Sequence, residues 1–326
     1  NSSVDMGTSL GGTRVFETEH SDQALRLAQI LAHDMTLKYL VLQTMMARLY
    51  WQGKAKEHEV FATMLGGSKS VLGVHREAEF AQLSLENRER VFRQHADHIV
   101  RANGPITAVD SGTRGSDMDT IARHLMEKGK SVSRYVACQS VDLGGSGDPG
   151  PTTAAGVFAG ARALLAGQNI DPENAHYAVP GLGDVGFPLV KQILEQSGPN
   201  ARVYITDIIE GRAEEVYAQL GRDKRVTVVG ADTIWQIPTD AFLPCVKAPE
   251  IFTRERLDSF SPRLKVISPA TNDPWPTDDH GEPQRDVVQA YFDRGITVAP
   301  AYVVNQGGIL HVSTGHWRNW NPDAPR

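Results

Sequence analysis

A lysine follows a pair of glycines in the stretch MLGGSKSVLG, which spans residues 64–73. A glycine-rich turn followed by lysine can hold a phosphate group through backbone N–H groups and the ammonium. In a phosphate loop, however, glycine directly precedes the lysine and a helix follows. Here Ser68 precedes Lys69, and the residues SVLGV are typical of a strand. An anion-binding lysine at the entry to a strand and a plain surface lysine therefore both remain open from this stretch alone.

A second glycine-rich stretch, GLGDVG, matches the pattern GxGxxG at Gly181, Gly183 and Gly186. It follows a predicted strand and opens a predicted helix that starts at Phe187, and the next predicted strand ends at Asp207. Such glycines let the chain approach a pyrophosphate at a helix N-terminus, and a carboxylate at the Asp207 position binds ribose hydroxyls and repels a 2′-phosphate. The sequence predicts a Rossmann domain that binds NAD rather than NADP. A tight turn without a cofactor is the alternative.

The remaining pattern supplies the elements that would position these residues. Apolar residues at helical spacing predict one long helix, or two abutting helices, from Ser21 onward. The second half alternates strands and helices, which is typical of a parallel, doubly wound sheet. The glycine- and proline-rich stretch LGGSGDPGP at residues 143–151 marks a domain boundary.

We therefore predict an α/β protein with two domains. Residues 1–147 form an N-terminal α/β substrate domain, residues 148–312 form the C-terminal, doubly wound Rossmann domain that binds NAD, and residues 313–326 form a tail.

Composition limits the kinds of partner and the cellular compartment that we expect for this protein. The 326 residues carry a formal net charge of -6, which argues against a nucleic acid or an anionic membrane as partner. The two cysteines, Cys138 and Cys245, show no metal-binding spacing and are typical of a reducing compartment. The N-terminal residues have neither the basic nor the apolar region of a signal peptide. These observations predict a cytoplasmic protein without a bound metal.

Several motifs resemble, in the same order, those of the amino acid dehydrogenases that act on leucine, phenylalanine, valine and glutamate. In chain order they are GGTR, MTLK, GGSK, ITAVDSGT with DMD, GGSGDPGPTTAAGV, AFLPC, VISPATND and APAYVVNQGGI. The chain is most similar to the leucine and phenylalanine branch, and the resemblance covers nearly its whole length.

The resemblance implies a reversible oxidative deamination, in which an L-amino acid, NAD and water give a 2-oxo acid, ammonium and NADH. It implies that Lys38 binds the substrate carboxylate, that Lys69 acts as the base that activates water, and that Asp110 transfers protons at the nitrogen. It places the other substrate-binding positions at Gly11, Leu10, Ala108, Asn272 (or its neighbour Asp273), Ile309 and Val312. It places the cofactor-binding positions at Thr153, Gly181, Gly183, Asp184, Val185, Gly186, Asp207, Cys245 and Asn305.

The positions that correspond to the side-chain pocket are all apolar, which favours an apolar amino acid as substrate, and the bulk of Ile309 favours an aliphatic one. The resemblance also implies a homo-oligomer, a dimer or larger.

One departure keeps other functions open. Lys38 and Lys69 are 31 positions apart, whereas the corresponding lysines of relatives lie much closer in the chain. The helical pattern that continues past Lys38 predicts a rebuilt wall beside the substrate site. A divergent NAD-dependent oxidoreductase for imines or amines, and a non-catalytic NAD-binding scaffold, are the alternative functions.

Overall fold

The computed structural model describes residues 9–248, 250–272, 274–278 and 283–320; of residues 61 and 317–320 it describes the backbone alone. In chain order, the strands and helices of the described residues are β1 (Ser9–Glu17), α1 (Ser21–Trp51), α2 (Glu57–Ala62), β2 (Gly66–Gly67), β3 (Ser70–Val74), α3 (Glu77–Ala81), α4 (Leu85–Arg101), β4 (Ile106–Val109), α5 (Gly115–Glu127), α6 (Gly150–Gly167), β5 (His176–Pro180), α7 (Gly186–Gln196), β6 (Arg202–Thr206), α8 (Arg212–Gln219), β7 (Val226–Val228), β8 (Ala241–Phe242), α9 (Arg254–Ser259), β9 (Val266–Ile267), α10 (Arg285–Asp293), β10 (Thr297–Val298), α11 (Ala301–Val304) and α12 (Gly307–Trp320).

The chain divides into two compact units. The first comprises residues 1–149 and 309–326, and the second comprises residues 150–308. The predicted boundary after residue 147 differs by two residues, but residues 309–312, predicted in the second domain, group with the first unit. The reason is the apolar face of α12, because Val312 is buried in the core of the first unit and Tyr39 Oη hydrogen-bonds Ser313 Oγ at 3.1 Å. No helix in the described part of the chain is both long and apolar enough to cross a membrane.

The sheet of the first unit is built around β1, which pairs in parallel with β2, β3 and β4. Leu10 lies opposite Gly67, and Thr13 lies opposite Ser70. The register is therefore kept across the break between β2 and β3, which contains only Ser68 and Lys69. This break sets Lys69 beside the middle of β1.

The long segment predicted as one helix or two is the single helix α1, and it continues through Lys38 for more than three turns. The chain then returns through α2, and Gln43 Nε2 donates hydrogen bonds to the carbonyl oxygens of Thr63 (2.9 Å) and Leu65 (3.3 Å). The additional residues between Lys38 and Lys69 thus form a helical hairpin. Its return arm is tied to α1 just before the glycine pair that precedes Lys69.

The second unit contains a six-stranded parallel sheet in the order β10-β9-β8-β5-β6-β7. This is the doubly wound order of dinucleotide-binding folds. From the first strand, β5, the next two strands are added on one side, and the fourth to sixth strands, beginning with β8, are added on the other side. The predicted Rossmann fold is therefore confirmed. In the stretch ITVAPAYVV only Thr297 and Val298 form a strand, β10, because Pro300 is the N-cap of α11.

A polar group lies buried under the sheet of the first unit. His95 on α4 contacts Thr13 Oγ1 through its Nε2 at 3.2 Å, and Thr13 Oγ1 also hydrogen-bonds Thr107 Oγ1. Burial, and to a smaller extent the nearby His98, lower the pKa of His95 from 6.5 to about 4. The folded protein therefore holds this imidazole neutral.

We expect this buried imidazole to make folding pH-dependent. Between pH 6.5 and about 4 the unfolded chain binds a proton at His95 that the folded chain does not, so the unfolding free energy falls as the pH falls. The loss amounts to about 3 kcal/mol over that range. Urea unfolding at both ends of the range measures it.

A His95→Gln variant should lose this part of the pH dependence, because an amide does not titrate in that range. The exposed His98→Gln variant is the matched control and should keep most of it, because burial is the larger cause of the shift. His316, whose pKa burial also lowers to about 4, should contribute a residual dependence in every variant. Equal pH dependence in His95→Gln and the wild type would contradict this expectation.

Candidate active site

One face of the sheet in the first unit carries the predicted catalytic side chains. In β1, Leu10, Gly12 and Arg14 share one face because side chains alternate along a strand. The pairing register places Lys69 beside Gly12 and Asp110, which directly follows β4, beside Arg14. Lys69 and Asp110 therefore emerge on the same face from opposite sides of β1.

These side chains meet at a single carboxylate oxygen. Lys69 Nζ lies 2.7 Å from Asp110 Oδ2, and Arg14 Nε donates to the same oxygen at 3.0 Å. The side chains are largely buried, with exposed fractions of 7% for Lys69 and 18% for Asp110. Burial alone would raise the pKa of the Asp110 carboxyl, but the charges and hydrogen bonds of Lys69 and Arg14 outweigh it and hold that pKa well below its usual range. In the protein without substrate, Asp110 is therefore a carboxylate.

Glycines make this close approach possible. A Cβ atom at Gly12 would lie 2.6 Å from the Cβ of Asp110, and one at Gly11 would lie 1.6 Å from the carbonyl oxygen of Ser68. Gly112 has a φ of +83° where the chain turns back over Val15. The predicted substrate position Gly11 therefore has a structural requirement for glycine.

Lys38 is buried on α1, the helix that packs against β2 and β3, the strands on either side of Lys69. A Cβ atom at Gly67 would lie 2.2 Å from the backbone nitrogen of Thr36, so the glycine pair lets the two segments touch. Gly67 and Lys69 share a face of the sheet, because Leu10 and Gly12, the β1 residues beside them, share that face. The turn of helix that bears Lys38 is thus packed on the same face of the sheet as Lys69, despite the hairpin between them in sequence.

The apolar positions predicted for the side-chain pocket lie in one cluster. Leu10, Ala108 and Val312 are buried in the core of the first unit, and Ile309 packs partly buried against it. Leu10 and Ala108 lie on the same face of the sheet as Asp110. A lining role for these residues stays a prediction.

The glycine-rich loop of the second unit has the form that a pyrophosphate requires. Gly181, with a φ of +87°, begins the turn after β5, and a Cβ atom at Gly186 would lie 1.8 Å from the carbonyl oxygen of Gly181. By contrast, a Cβ atom at Gly183 would meet no described atom within 4 Å, so the protein itself does not require glycine there. Asp184 is exposed in the same turn, and Val185 is the N-cap of α7. An open position at the middle glycine fits a ligand that approaches the backbone closely.

Asp207 joins this loop to the end of β6. Its Oδ2 accepts a hydrogen bond from the backbone N–H of Leu182 at 2.7 Å, and its Oδ1 accepts one from Ile209 at 2.9 Å. Arg212 donates from Nη2 to the carbonyl oxygen of Leu182 at 3.1 Å. The backbone N–H and the carbonyl oxygen of Leu182 are therefore both hydrogen-bonded. Arg212 was not predicted from the sequence. The available signal was its place at the start of α8, five residues after Asp207.

The remaining predicted cofactor positions lie at the carboxyl end of the same sheet. A Cβ atom at Gly181 would lie 2.6 Å from the carbonyl oxygen of Cys245, which places Cys245 between the ends of β5 and β8. Thr153 lies in the first turn of α6, where its backbone nitrogen would be 3.2 Å from a Cβ atom at Gly307. The order reversal at β5 and β8 is where doubly wound sheets bind their ligands.

Asn305 offers a buried acceptor in this unit. Its Nδ2 donates to the carbonyl oxygen of Ala270 at 3.0 Å and to Oδ1 of Asn272 at 2.9 Å. Its own Oδ1 is buried and accepts no hydrogen bond from any described residue. A buried acceptor without a donor is costly, so this atom fits a donor group such as the carboxamide of a nicotinamide. Asp273, the alternative to Asn272, lies outside the described residues.

Arg14 was also missed from the sequence. It belongs to the GGTR motif, and its position one residue after Thr13 on β1 puts it on the face of Asp110. Without the pairing register, nothing links it to a residue 96 positions away. No group of three potential metal ligands from His, Cys, Asp and Glu occurs among the described residues.

Comparison with known proteins identifies relatives over nearly the whole chain, although no family profile matches it. The chain is 30% identical to the leucine dehydrogenase of Geobacillus stearothermophilus over 313 residues, which cover 94% of this chain and 71% of the relative. It is 31% identical to the valine dehydrogenase of Streptomyces virginiae over 318 residues, which cover 95% and 74%. It is 29% identical to the phenylalanine dehydrogenase of Caldalkalibacillus thermarum over 315 residues, which cover 94% and 72%.

Solved structures agree in fold. A glutamate dehydrogenase of Thermus thermophilus superposes with a TM-score of 0.71 at 18% identity, covering 98% of this chain and 70% of the other. The L-tryptophan dehydrogenase of Nostoc punctiforme superposes with a TM-score of 0.57 at 21% identity, covering 96% and 80%. The relatives give no support to an imine oxidoreductase or a scaffold. The chain is a member of the amino acid dehydrogenase family that includes the leucine, phenylalanine and valine dehydrogenases.

Proposed function

We propose that this protein catalyses the NAD-dependent oxidative deamination of an apolar L-amino acid to its 2-oxo acid and ammonium. The observation that carries the proposal is the contact of Lys69 with Asp110 on the sheet face that also bears Leu10 and Ala108. An amine and a carboxylate in contact can divide the two proton transfers that deamination needs. Both groups are largely buried, which strengthens their mutual interaction.

Each residue would have one task in this reaction. Lys38 would bind the substrate carboxylate as an ammonium ion. The glycine-rich loop and Asp207 would hold the nicotinamide cofactor, which would supply the acceptor for the hydride of the α-carbon. Lys69, as an amine, would take a proton from the water that attacks the iminium carbon, and Asp110 would transfer protons at the departing nitrogen. Ammonium would then leave, and the 2-oxo acid would remain.

The substrate class follows from the apolar cluster. A glutamate side chain would bring a carboxylate next to the apolar side chains of Leu10, Ala108 and Val312, where burying a charge is costly. We expect NADH formation, followed by its absorbance, with leucine, valine or phenylalanine and far less with glutamate or aspartate. A clear preference for glutamate, or no NADH with any amino acid, would refute the proposal.

A nicotinamide cofactor is implied by the family, and the choice of NAD belongs to the proposal. We expect a higher kcat/KM with NAD than with NADP, because the Asp207 carboxylate repels a 2′-phosphate. An Asp207→Asn variant should reduce the ratio of the two kcat/KM values by about tenfold or more. Steady-state kinetics with both cofactors measures the ratio.

The matched control is Glu210→Gln, which removes an exposed carboxylate three residues further along. It should leave the ratio near that of the wild type. An equal change in both variants would mean that general surface charge, and not the Asp207 position, sets the preference.

We also propose that the protein forms a homo-oligomer, a dimer or larger. It is supported by α1, which buries one face in its own unit and exposes apolar side chains on another: Ile30 (60%), Leu37 (41%), Leu40 (44%) and Trp51 (84%). A helix with apolar residues around most of its surface is typically covered. Light scattering on wild type and a Leu37→Glu, Leu40→Glu double variant tests this, and a monomeric wild type would contradict it. The cytoplasmic location stays a prediction from the sequence.

A further inference from the structure

Arg14 has no role in the reaction assigned so far, although it touches the same oxygen as Lys69. Its Nε donates to Asp110 Oδ2 at 3.0 Å, and the Lys69 ammonium contacts that oxygen at 2.7 Å. The two cations are therefore neighbours that share one anion. Arg14 is about a quarter exposed, with a side-chain exposed fraction of 24%, so its charge is only partly screened by water.

The two cations differ in one property that matters for catalysis. An ammonium ion can lose its proton, whereas a guanidinium ion stays charged at any pH a protein experiences. Lys69 can act as a base only as the neutral amine. Asp110 opposes the loss of this proton, because a carboxylate stabilises the ammonium form. Arg14 weakens this stabilisation in two ways, since it shares the carboxylate and repels the ammonium.

We propose that Arg14 is a positioning residue that holds Asp110 in place throughout the reaction and favours the amine form of Lys69. The inference rests on the proposed function, because it assigns Lys69 the role of base. When Lys69 loses its proton, Arg14 remains as the counter-charge of Asp110. The carboxylate then keeps both its charge and its position while the amine acts on water.

The backbone around Asp110 is built to accept this arrangement. The N–H of Asp110 donates to Thr113 Oγ1 at 2.8 Å, which fixes the main chain of the turn. Gly12 lets the Asp110 side chain lie against β1, where Arg14 is the residue in register with it. The side chain of Asp110 is thus oriented by Arg14 and its backbone by Thr113.

Other charged groups near this site are already accounted for. Lys38 lies on α1, which packs against β2 and β3, the strands on either side of Lys69. Arg88 on α4 is paired with Asp117 on α5 at 2.7 Å, and its Nη2 also donates to the carbonyl oxygen of Gly112. His95 contacts Thr13, on the opposite face of β1 from Arg14. Asp110 Oδ2 forms ion pairs with Lys69 and Arg14, whereas Arg88 pairs with Asp117 and His95 with Thr13.

The test compares variants that remove or keep the charge. Arg14→Gln and Arg14→Met remove it, and Met keeps an unbranched side chain in case Gln impairs folding. Arg14→Lys keeps it. The readout is the pH dependence of kcat/KM for NAD and the preferred apolar amino acid. We expect the limb on which activity rises with pH to move up by about one pH unit in the neutral variants.

A shift of that kind lowers kcat/KM about tenfold at pH values below the midpoint of the rise and leaves it unchanged at pH values well above the midpoint. Arg14→Lys should keep the wild-type limb. If the neutral variants instead lose activity equally at every pH, with the limb unmoved, Arg14 is only structural and the inference is overturned.

A second readout does not require turnover. Trace labelling with acetic anhydride, followed by mass spectrometry, reports how the reactivity of Lys69 rises with pH relative to the exposed Lys54. The neutral variants should need a pH about one unit higher for equal labelling. An unchanged labelling curve would overturn the inference. If no amino acid is a substrate but the labelling curve shifts, the proposed function fails while the effect of Arg14 on Lys69 stands.

Discussion

Replacing Lys69 by alanine is expected to reduce kcat for the preferred amino acid by about 10³-fold or more, because removing a general base typically costs up to 10⁴-fold. The variant should still fold. Asp110 keeps Arg14 as a counter-charge at 3.0 Å, so no buried carboxylate is left unpaired. It should also still bind NAD, since the glycine-rich loop and Asp207 belong to the other unit. Single-turnover kinetics and NAD titration by fluorescence measure the two quantities.

The control for this variant is Lys54→Ala, at an exposed position in the turn of the helical hairpin. It should retain wild-type turnover. Residual activity of Lys69→Ala within tenfold of the wild type would show that another group activates the water. Loss of NAD binding together with activity would point instead to a folding defect.

The Asp110→Asn variant is expected to lose activity by about 10² to 10⁴-fold and to lose stability as well. The amide has the same shape but no charge, so Lys69 and Arg14 would face each other without their shared anion. Breaking a buried ion pair by removing one partner typically costs about 3–5 kcal/mol, and the partial exposure of Asp110 places the expected cost near the lower value. Urea unfolding and steady-state kinetics on the same preparation measure both effects.

The two catalytic variants should therefore separate in stability. Lys69→Ala leaves one cation on Asp110, whereas Asp110→Asn leaves two cations without an anion. Asp22→Asn, at an exposed position in the first turn of α1, is the matched carboxylate control. Equal stability of Asp110→Asn and the wild type would contradict the ion-pair geometry at Asp110 Oδ2.

Much of the fold could be predicted from the sequence because the signals were local. The strand, GxGxxG turn and helix around Gly181 predicted the Rossmann unit, and helical periodicity predicted α1. The assignment of residues 309–312 could not be predicted in this way. It depends on the contact of Val312 and Ser313 with the core of the first unit, which only the folded chain brings together. Strands of two residues, such as β10, are also too short to leave a period in the sequence.

The site was predictable to a different degree. Its motifs predicted Lys69 and Asp110 through their resemblance to known dehydrogenases, and the structure places these two side chains in contact. Arg14 was not predicted because its importance comes from strand register, which the sequence does not show. The histidines of α4 show the same limit. His95 and His98 look alike in the sequence, but only His95 lies on the face that packs under the sheet.

The most direct test of the proposed reaction is its stoichiometry. Purified wild-type protein is incubated with NAD and the preferred apolar L-amino acid, and NADH, ammonium and the 2-oxo acid are quantified in the same sample. We expect equal amounts of all three products, and none of them in the Lys69→Ala variant beyond its residual rate. NADH without an equal amount of ammonium, or NAD binding without any product, would contradict it.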